Sequence, residues 1–516
     1  MAFCLYHRHN PTLRLRGLPL SFGAITLLHI YWILAQIVYP VASTVPIVLA
    51  YDIQYFVMGT YFPLGIALFH ASNSRFLHVA KLQMQFTQGG QRKQRRRSNL
   101  APAWLANVPY MVKLMTVIGL GMIVQVFACV GMWLLCRKYH PTFGLMGTEM
   151  RSKTLPEQIA ELGRGWEWWP SVVWQLIWAW MVAPFLIWRA WDIRDTIGWR
   201  TQTIGCCLSS LHAVPMFLIA SYEPAFAPVN AYFAPSQWIH LSIFMFEIFA
   251  VFVPAIQVVR LDIQKRRVAN LNLKWDTEST TSTLTAGDWR KRSTLYLGNE
   301  KSQVFSLDED LGDRLLTMAA LEHVLASNPA PLQEFSALSD FSGENIAFLT
   351  RAATWKASWP QTEERRLEAF NAALDVYVNF VSPRDAEFPL NLSSSGLRRL
   401  EAIFEKPTRI LYGEARGDLA TPFADESHGS DPSSVRPPAQ YTGDISKDFG
   451  PGVFDAAISH IKTLVLTNTW PKFIEDMQSA RRKSSDTAWT GISANSQSTL
   501  ASRLSKQLNK LMFKKS

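Results

Sequence analysis

The chain has 516 residues, of which 48% are apolar and only 18% are charged, and its formal net charge is +10. The apolar content excludes a disordered chain, and the low charge is unlike the surface of an ordinary soluble enzyme, where about 25% of residues are charged. The length is enough for two to four domains.

The charge is unevenly distributed along the chain. Residues 1–258 hold 19 Lys and Arg against 9 Asp and Glu, whereas residues 259–516 hold 32 of each. The first half also holds 13 of the 19 Trp and all five Cys. A basic excess confined to an apolar, Trp-rich half argues against nucleic-acid binding. It favours a membrane domain at 1–258 joined to a second half that lacks Cys, which is compatible with a reducing cytoplasm.

Runs of about 20 apolar residues are long enough to span a bilayer as helices. Four of the runs in this chain contain prolines, which spanning helices tolerate as kinks. We predict six spans, at Leu18–Tyr39, Ile47–Phe69, Leu114–Leu135, Val172–Trp188, Ile204–Tyr222 and Trp238–Val258.

The loops between these runs alternate in charge. One set of loops, with the N-terminal segment and the stretch after the last span, holds 17 Lys and Arg, and the alternate set holds five. Because positive loops stay on the cytoplasmic side, the N-terminus, the 71–110 loop and the second half are expected in the cytoplasm. The membrane is expected to be the plasma membrane.

The segment Met1–Tyr6 is apolar but too short to span, and no basic residues precede it as in a signal peptide. We expect it to be the end of a helix whose beginning is absent, so that the six spans are the last six of seven. The alternative is a disordered start.

Polar side chains inside spans are costly to bury and often functional. Glu247 lies in the middle of the last span, where it could contact a ligand, carry a proton or pair with a histidine such as His212. For Glu247 and His212 we favour a structural pair over an intramembrane ligand site. For Asp52 both roles, ligand contact and structural contact, stay open. No acidic residue recurs through several spans, which weakens the interpretation as a transporter.

The second half changes character at a linker, 259–317, whose centre is rich in Ser and Thr. From 318 to 480 apolar residues recur with a helical period, which predicts an all-α bundle with an inserted loop at 413–450. The tail at 481–516 is basic, and its leucines from 500 to 511 share one helical face, suited either to anionic lipid or to a solvated helix. No phosphate-binding loop, nucleophile elbow or metal-ligand spacing is present, so we expect no cofactor and no metal, and an interaction module instead of an enzyme.

Three blocks in this half, taken together, resemble the RGS domain, the helical module that regulates G-protein signalling. The block 340–348 reads Asp-Phe-Ser-Gly-Glu-Asn-Ile-Ala-Phe, the next runs from Ser382 through Asp385 to Leu392, and the third runs from Phe454 to Phe473. They occur in the order of the family. The stretches 10–19 and 62–81 are similar to fungal receptor-like proteins that fuse a seven-span domain to a C-terminal RGS domain.

The resemblance implies a function as well as an all-α fold. The family binds the GTP-loaded Gα subunit of a heterotrimeric G protein and accelerates its GTP hydrolysis, while a ligand sensed by the spans could control the module. The chain itself then supplies no catalytic residue. The Gα-contacting residues implied by the match are Asp340, Ser342, Glu344, Asn345, Asn391, Leu464, Asn468, Thr469 and Lys472.

Three departures from the family pattern bear on activity. Asn468 stands where the family has Asp, Lys472 where it has Arg, and Leu349 where it has a core Trp. Replacing Arg by Lys is not conservative, because the planar guanidinium can form two parallel hydrogen bonds and the ammonium cannot. The charge attraction between positions 468 and 472 is expected to be lost. Two alternatives therefore stay open: a degenerate module that sequesters Gα without activating it, and a transporter or membrane enzyme with a scaffold domain.

Overall fold

The computed structural model describes residues 1–41, 44–87, 110–140, 142–281, 315–360, 362, 365–413 and 440–489. Their regular secondary structure is helical, and one isolated β-bridge joins Cys136 and Leu145. The all-α prediction is confirmed. The described residues form two compact units, one made of 1–82 and 110–259, the other of 83–87, 260–281, 315–413 and 440–489.

The first unit is a bundle of apolar helices. In a bilayer every backbone N–H and C=O must be paired within the protein, which leaves the helix as the available spanning element for such runs. The helices are α1 (Ala2–Tyr6), α2 (Pro11–Arg16), α3 (Leu18–Val41), α4 (Ile47–Gln83), α5 (Tyr110–Leu135), α6 (Leu155–Gly163), α7 (Trp169–Leu176), α8 (Ala183–Ala190), α9 (Trp199–Leu211), α10 (Ala213–Tyr222), α11 (Ala227–Asn230), α12 (Gln237–Glu247) and α13 (Val253–Thr281).

Within the described residues, five helical segments are long and apolar enough to cross a membrane; four contain a predicted span, and Leu18–Ile37 covers all but the last two residues of the first one. They are Leu18–Ile37, Tyr110–Leu135, Leu155–Ala190, Trp199–Tyr222 and Gln237–Asn272. The predicted span 47–69 lies within α4, which has the length for a crossing but is not among these five. Asp52 and Gln54 lower the apolar character of that helix. The chain is a polytopic helical membrane protein.

Helix α5 shows how such a protein differs from a soluble bundle. Val124 and Phe127 are 68% and 75% exposed, although both are strongly apolar. Inside the unit, large aromatic side chains are buried, such as those of Tyr55, Phe62 and Phe246. An exposed apolar surface of this extent is unfavourable in water and fits a lipid environment.

Two of the predicted kink prolines follow a wide helical turn. A π-helix runs from Ile177 to Val182 before Pro184, and another runs from Ile248 to Phe252 before Pro254. Proline lacks an N–H and its ring clashes with the carbonyl four residues earlier. The wider turn removes that conflict because its hydrogen bonds skip one more residue.

The stretch 10–19 forms a short capped helix at the start of α3. The side chain of Asn10 accepts a hydrogen bond from the N–H of Thr12 at 3.1 Å, and Gly17 ends α2 with φ of 64°. Arg75 donates to the carbonyl of Leu15 at 3.0 Å. The Asn-Pro start and the Gly end therefore have the cap chemistry that a six-residue helix needs.

The second unit is a helical bundle that includes the predicted module. Its helices are α14 (Met318–Ser327), α15 (Ala330–Leu338), α16 (Gly343–Ala357), α17 (Arg366–Val376), α18 (Ser394–Tyr412), α19 (Asp455–Thr467) and α20 (Thr469–Trp489), with a 3-10 turn at Met84–Phe86 and a π-helix at Tyr377–Val381. Leu321, Leu332, Phe370 and Ile461, which the helical period placed on apolar faces, are fully buried in one core.

The core reaches beyond residues 318–480. Val268 of α13 is 1% exposed and belongs to it, and Asn272 accepts a hydrogen bond from the N–H of Met318 at 3.2 Å. Part of the predicted linker is therefore packed against the module. Residues 282–314, most of the inserted loop (414–439) and the predicted amphipathic tail at 500–511 lie outside the described residues.

Candidate functional site

Asp340 is the centre of a buried polar cluster between α15 and α20. Its side chain is fully buried and accepts hydrogen bonds from Ser342 Oγ at 2.9 Å and Thr469 Oγ1 at 2.7 Å. The two hydroxyl oxygens are themselves 3.2 Å apart. A buried carboxylate is tolerated when its lone pairs are satisfied in this way.

Lys472 supplies the positive charge of the cluster. Its Nζ donates to Asp340 Oδ1 at 2.7 Å and to Asn468 Oδ1 at 2.8 Å. The expected loss of charge attraction between positions 468 and 472 is thus offset, because the ammonium pairs with the carboxylate of Asp340 instead. Five of the nine predicted contact residues meet here.

The loop between α15 and α16 is conformationally constrained. Phe341 has φ of 50°, a left-handed conformation that costs a bulky residue of order 1–3 kcal/mol. Its ring is 1% exposed, and the flanking Asp340 and Ser342 are joined by their hydrogen bond. Packing and hydrogen bonds on both sides hold this turn, so the start of α16 is presented in a defined position.

Asn391 lies at the centre of a tight turn. The N–H of Leu392 donates to the carbonyl of Leu390 at 3.0 Å, which closes a three-residue γ-turn around Asn391. The carbonyl of Asn391 accepts from His460 Nε2 at 3.0 Å. The backbone is therefore held from two directions. Within the described part of the chain, the half-buried side-chain amide has no hydrogen-bond partner.

One face of α19 connects Asn391 to the Asp340 cluster. His460, Leu464 and Asn468 are spaced four residues apart, so they follow one another along the same side of the helix. Eight residues correspond to about 12 Å of helix. His460 touches Asn391 at one end and Asn468 touches Lys472 at the other. The predicted residues thus form a continuous stripe of alternating polar and apolar groups.

Glu344 and Asn345 begin α16 beside the cluster. The N–H of Asn345 donates to the carbonyl of Ser342 at 3.1 Å, and the side chain of Asn345 is buried. Glu344 is partly exposed and accepts from Gln83 Nε2 at 3.0 Å. A carboxylate in the first turn is favourable at the positive end of the helix dipole.

Sequence reasoning missed the residues that support this surface. Gln83 and Gln85 were assigned to a membrane loop, yet they belong to the second unit and contact Glu344 and Glu387. One weak indication in the sequence that this segment packs against a core is the apolar Phe86 in a polar loop. His460 gave no signal in the sequence, because no local pattern shows that it reaches a carbonyl 69 residues away.

The three polar candidates of the first unit do not form a common site. Glu247 pairs with His29, whose Nδ1 lies 2.6 Å from Glu247 Oε1, and not with His212. Asp52 accepts from Trp133 Nε1 at 2.7 Å, and His212 interacts with the backbone of Trp238. Glu247 thus has a histidine partner, as the structural alternative expects, but the partner is His29 of α3 and not His212, which was the example given.

The two hydroxyls that donate to Asp340, Ser342 Oγ and Thr469 Oγ1, are buried. The groups of the site that reach the surface are the Asn391 amide, the Glu344 carboxylate and the Lys472 ammonium, each partly exposed. No family model matches the chain, and neither the curated proteins nor the solved structures include a match.

Proposed function

We propose that the chain is a membrane-anchored regulator of heterotrimeric G-protein signalling, whose second unit binds GTP-loaded Gα and accelerates GTP hydrolysis. The observation that carries this proposal is the stripe from Asn391 along α19 to Lys472. Residues that a resemblance to the RGS family selects from three distant blocks are neighbours in the fold.

The chemistry of Gα makes such a surface sufficient. Phosphoryl transfer is catalysed mainly by positioning and electrostatics, and Gα carries its own arginine and glutamine for these tasks. A protein that binds the switch loops best in their transition-state arrangement lowers the barrier by differential binding. The partner therefore needs pre-positioned hydrogen-bonding groups and no catalytic residue.

Each predicted residue has a role under this proposal. The amide of Asn391 contacts the switch that carries the Gα glutamine and orders it. Asn468, held by Lys472, accepts from a switch amide, and Glu344 and Asn345 bind switch backbone. Leu464 lines the surface, whereas the buried Ser342 and Thr469 hold Asp340, which keeps Lys472 in place.

The module acts at the cytoplasmic face of the plasma membrane, as the alternation of basic loops favours. The first unit anchors it in the bilayer and is the place where a small-molecule ligand would act on the module. No nucleic acid takes part.

The test is a single-turnover GTPase assay with the full chain in lipid nanodiscs and a panel of purified Gα subunits. The full chain is needed because Val268 and residues 83–87 pack with the module. We expect acceleration by the wild type, and a loss of about 100-fold in the variant Asn391→Ala, the lower end of the effect of removing one hydrogen bond that stabilises a transition state.

Three outcomes separate the alternatives. Binding with acceleration supports the proposal, and binding to Gα without acceleration identifies a sequestering module. Absence of binding to every Gα tested, with intact helicity of the chain, refutes both and leaves a membrane transporter or enzyme with a scaffold domain.

A further inference from the structure

Residues 83–87, which begin at the last residue of α4, lie across the loops that the proposed function assigns to Gα. We refer to this segment as the strap. The side-chain amide of Gln83 accepts from the N–H of Gly343 at 3.1 Å and donates to Glu344 Oε2 at 3.0 Å. Gln83 is fully buried in this position. One amide thus engages two consecutive groups at the start of α16.

A second set of contacts fixes the strap to the loop before Asn391. Gln85 Nε2 donates to Glu387 Oε2 at 2.7 Å, and the ring of Phe86 meets that of Phe388 edge-on with centroids 6.0 Å apart. Asn391 lies three residues beyond Phe388. The strap therefore touches both loops from which the proposed Gα contacts project.

The space over Gly343 is filled by the strap together with Ala337, whose Cβ would lie 2.9 Å from a Cβ built on Gly343. A Cβ atom built on Gly343 would lie 3.0 Å from both Gln83 Oε1 and Phe86 Cβ. The N–H of Gly343 can donate to one strong acceptor at a time, and here the acceptor is Gln83. A switch loop of Gα cannot reach this end of the surface while the strap is in place.

We propose that the strap is an autoinhibitory element, an inference that rests on the proposed function. Gα engages the module fully only when Gln83 and Phe86 leave Gly343 and Glu344. The apparent affinity for Gα is then reduced by the fraction of molecules with a released strap. Because the strap is the direct continuation of α4, a ligand that moves this helix changes that fraction.

The test uses two different lesions of the strap in the full chain in nanodiscs. Gln83→Glu keeps the size of the side chain but removes the donor and places a second carboxylate beside Glu344. Phe86→Ala removes the ring that packs against Phe388 and so weakens the attachment of the strap. Met84→Ala is the matched control, because Met84 belongs to the same turn and is 44% exposed.

The probe is Gα bound to GDP and aluminium fluoride, which mimics the transition state. We expect both lesions to tighten binding about tenfold, the shift produced when a state populated at about one tenth becomes dominant. Met84→Ala should leave the affinity unchanged. Hydrogen exchange of the Gly343 amide should accelerate in Gln83→Glu, which reports strap release independently of Gα.

Several results would overturn the inference. Equal or weaker binding by both lesions, together with faster Gly343 exchange, means that the strap opens without inhibiting. Unchanged exchange in Gln83→Glu means that Gln83 does not protect this amide. In both cases wild-type acceleration of GTP hydrolysis would leave the proposed function standing. Failure of the wild type and both lesions to bind any Gα refutes the proposed function, and the inference with it.

Discussion

Lys472 Nζ lies 2.7 Å from Asp340 Oδ1, and the Asp340 side chain is fully buried while that of Lys472 is 16% exposed. A second ion pair in the same unit, Lys356 with Asp455, has the same 2.7 Å separation but is about half exposed on both sides. The two pairs differ mainly in burial, which makes them a matched set.

Replacing Lys472 by Met is expected to destabilise the second unit by about 3 kcal/mol, because it leaves a buried carboxylate without a counter-charge. Lys356→Met should cost less than about 1 kcal/mol, as for other exposed pairs. Thermal unfolding of the full chain in nanodiscs, followed by tryptophan fluorescence, measures both. Equal shifts in melting temperature would show that the buried pair of Asp340 and Lys472 contributes no more to stability than the exposed pair.

His460 is expected to act as a positioning residue for Asn391, because its Nε2 holds the Asn391 carbonyl. His460→Leu should weaken binding of transition-state Gα about fivefold, the effect of losing a hydrogen bond worth about 1 kcal/mol. The exposed Thr463→Ala on the same helix is the control. A fall in melting temperature with unchanged Gα affinity would show that His460 stabilises the fold and does not position Asn391 for binding.

Alkaline pH should destabilise the second unit through Tyr377. Burial, and then the hydrogen bond to Glu405, raise the pKa of the Tyr377 phenol above its ordinary value. Above pH 10 the unfolded chain releases this proton and the folded chain keeps it, so stability falls by about 1.4 kcal/mol per pH unit. Below pH 10 both states are protonated and this contribution to the pH dependence vanishes.

The variant Tyr377→Phe should flatten that alkaline decline, and the absorbance of phenolate near 295 nm should show one fewer late-titrating tyrosine. An unaltered decline between pH 10 and 12 would assign the effect to other groups. Glu405→Gln keeps a hydrogen-bond acceptor and removes the neighbouring charge, so it should lower the pKa of Tyr377 only in part.

Within the first unit, His29 and Glu247 should show energetic coupling in a double-mutant cycle. Polar pairs between membrane helices are worth about 0.5–2 kcal/mol, so a coupling of about 1 kcal/mol is expected for His29→Ala with Glu247→Ala. His212→Ala combined with Glu247→Ala should be additive. Coupling of the second pair but not the first, measured by unfolding in detergent, would contradict the contact seen here.

The helices were predictable from sequence because their driving force is local. Leu321, Phe370 and Ile461 fall on apolar faces whose period can be counted, and bilayer length alone defines most spans. Helix ends were less accessible: α4 continues from Phe69 to Gln83, because His70 and Asn73 are buried against neighbouring helices that a one-dimensional pattern does not contain.

The predicted contact residues of the module depended on motif order, which carries spacing but not partners. The motifs predicted that Asp340 and Lys472 belong to one site. They gave Asn468 as the partner of Lys472 and did not indicate the contact of Lys472 with Asp340. The carboxylate that neutralises it lies 132 residues away. The same limit hid Gln83, which precedes Gly343 by 260 residues. Contacts closed by the fold over such distances leave no trace in local composition.

The π-helix at Ile248–Phe252 sets an angular relationship within the last span. Each residue of an α-helix turns the chain by about 100°, so a turn that takes up one extra residue rotates everything after it by that amount. Glu247 before the turn and Val258 after it consequently owe their relative orientation to one amino acid. Deleting a single residue from 248–252 should therefore rotate the helix that follows by about 100° relative to the part before it, with the sequence beyond the deletion unchanged.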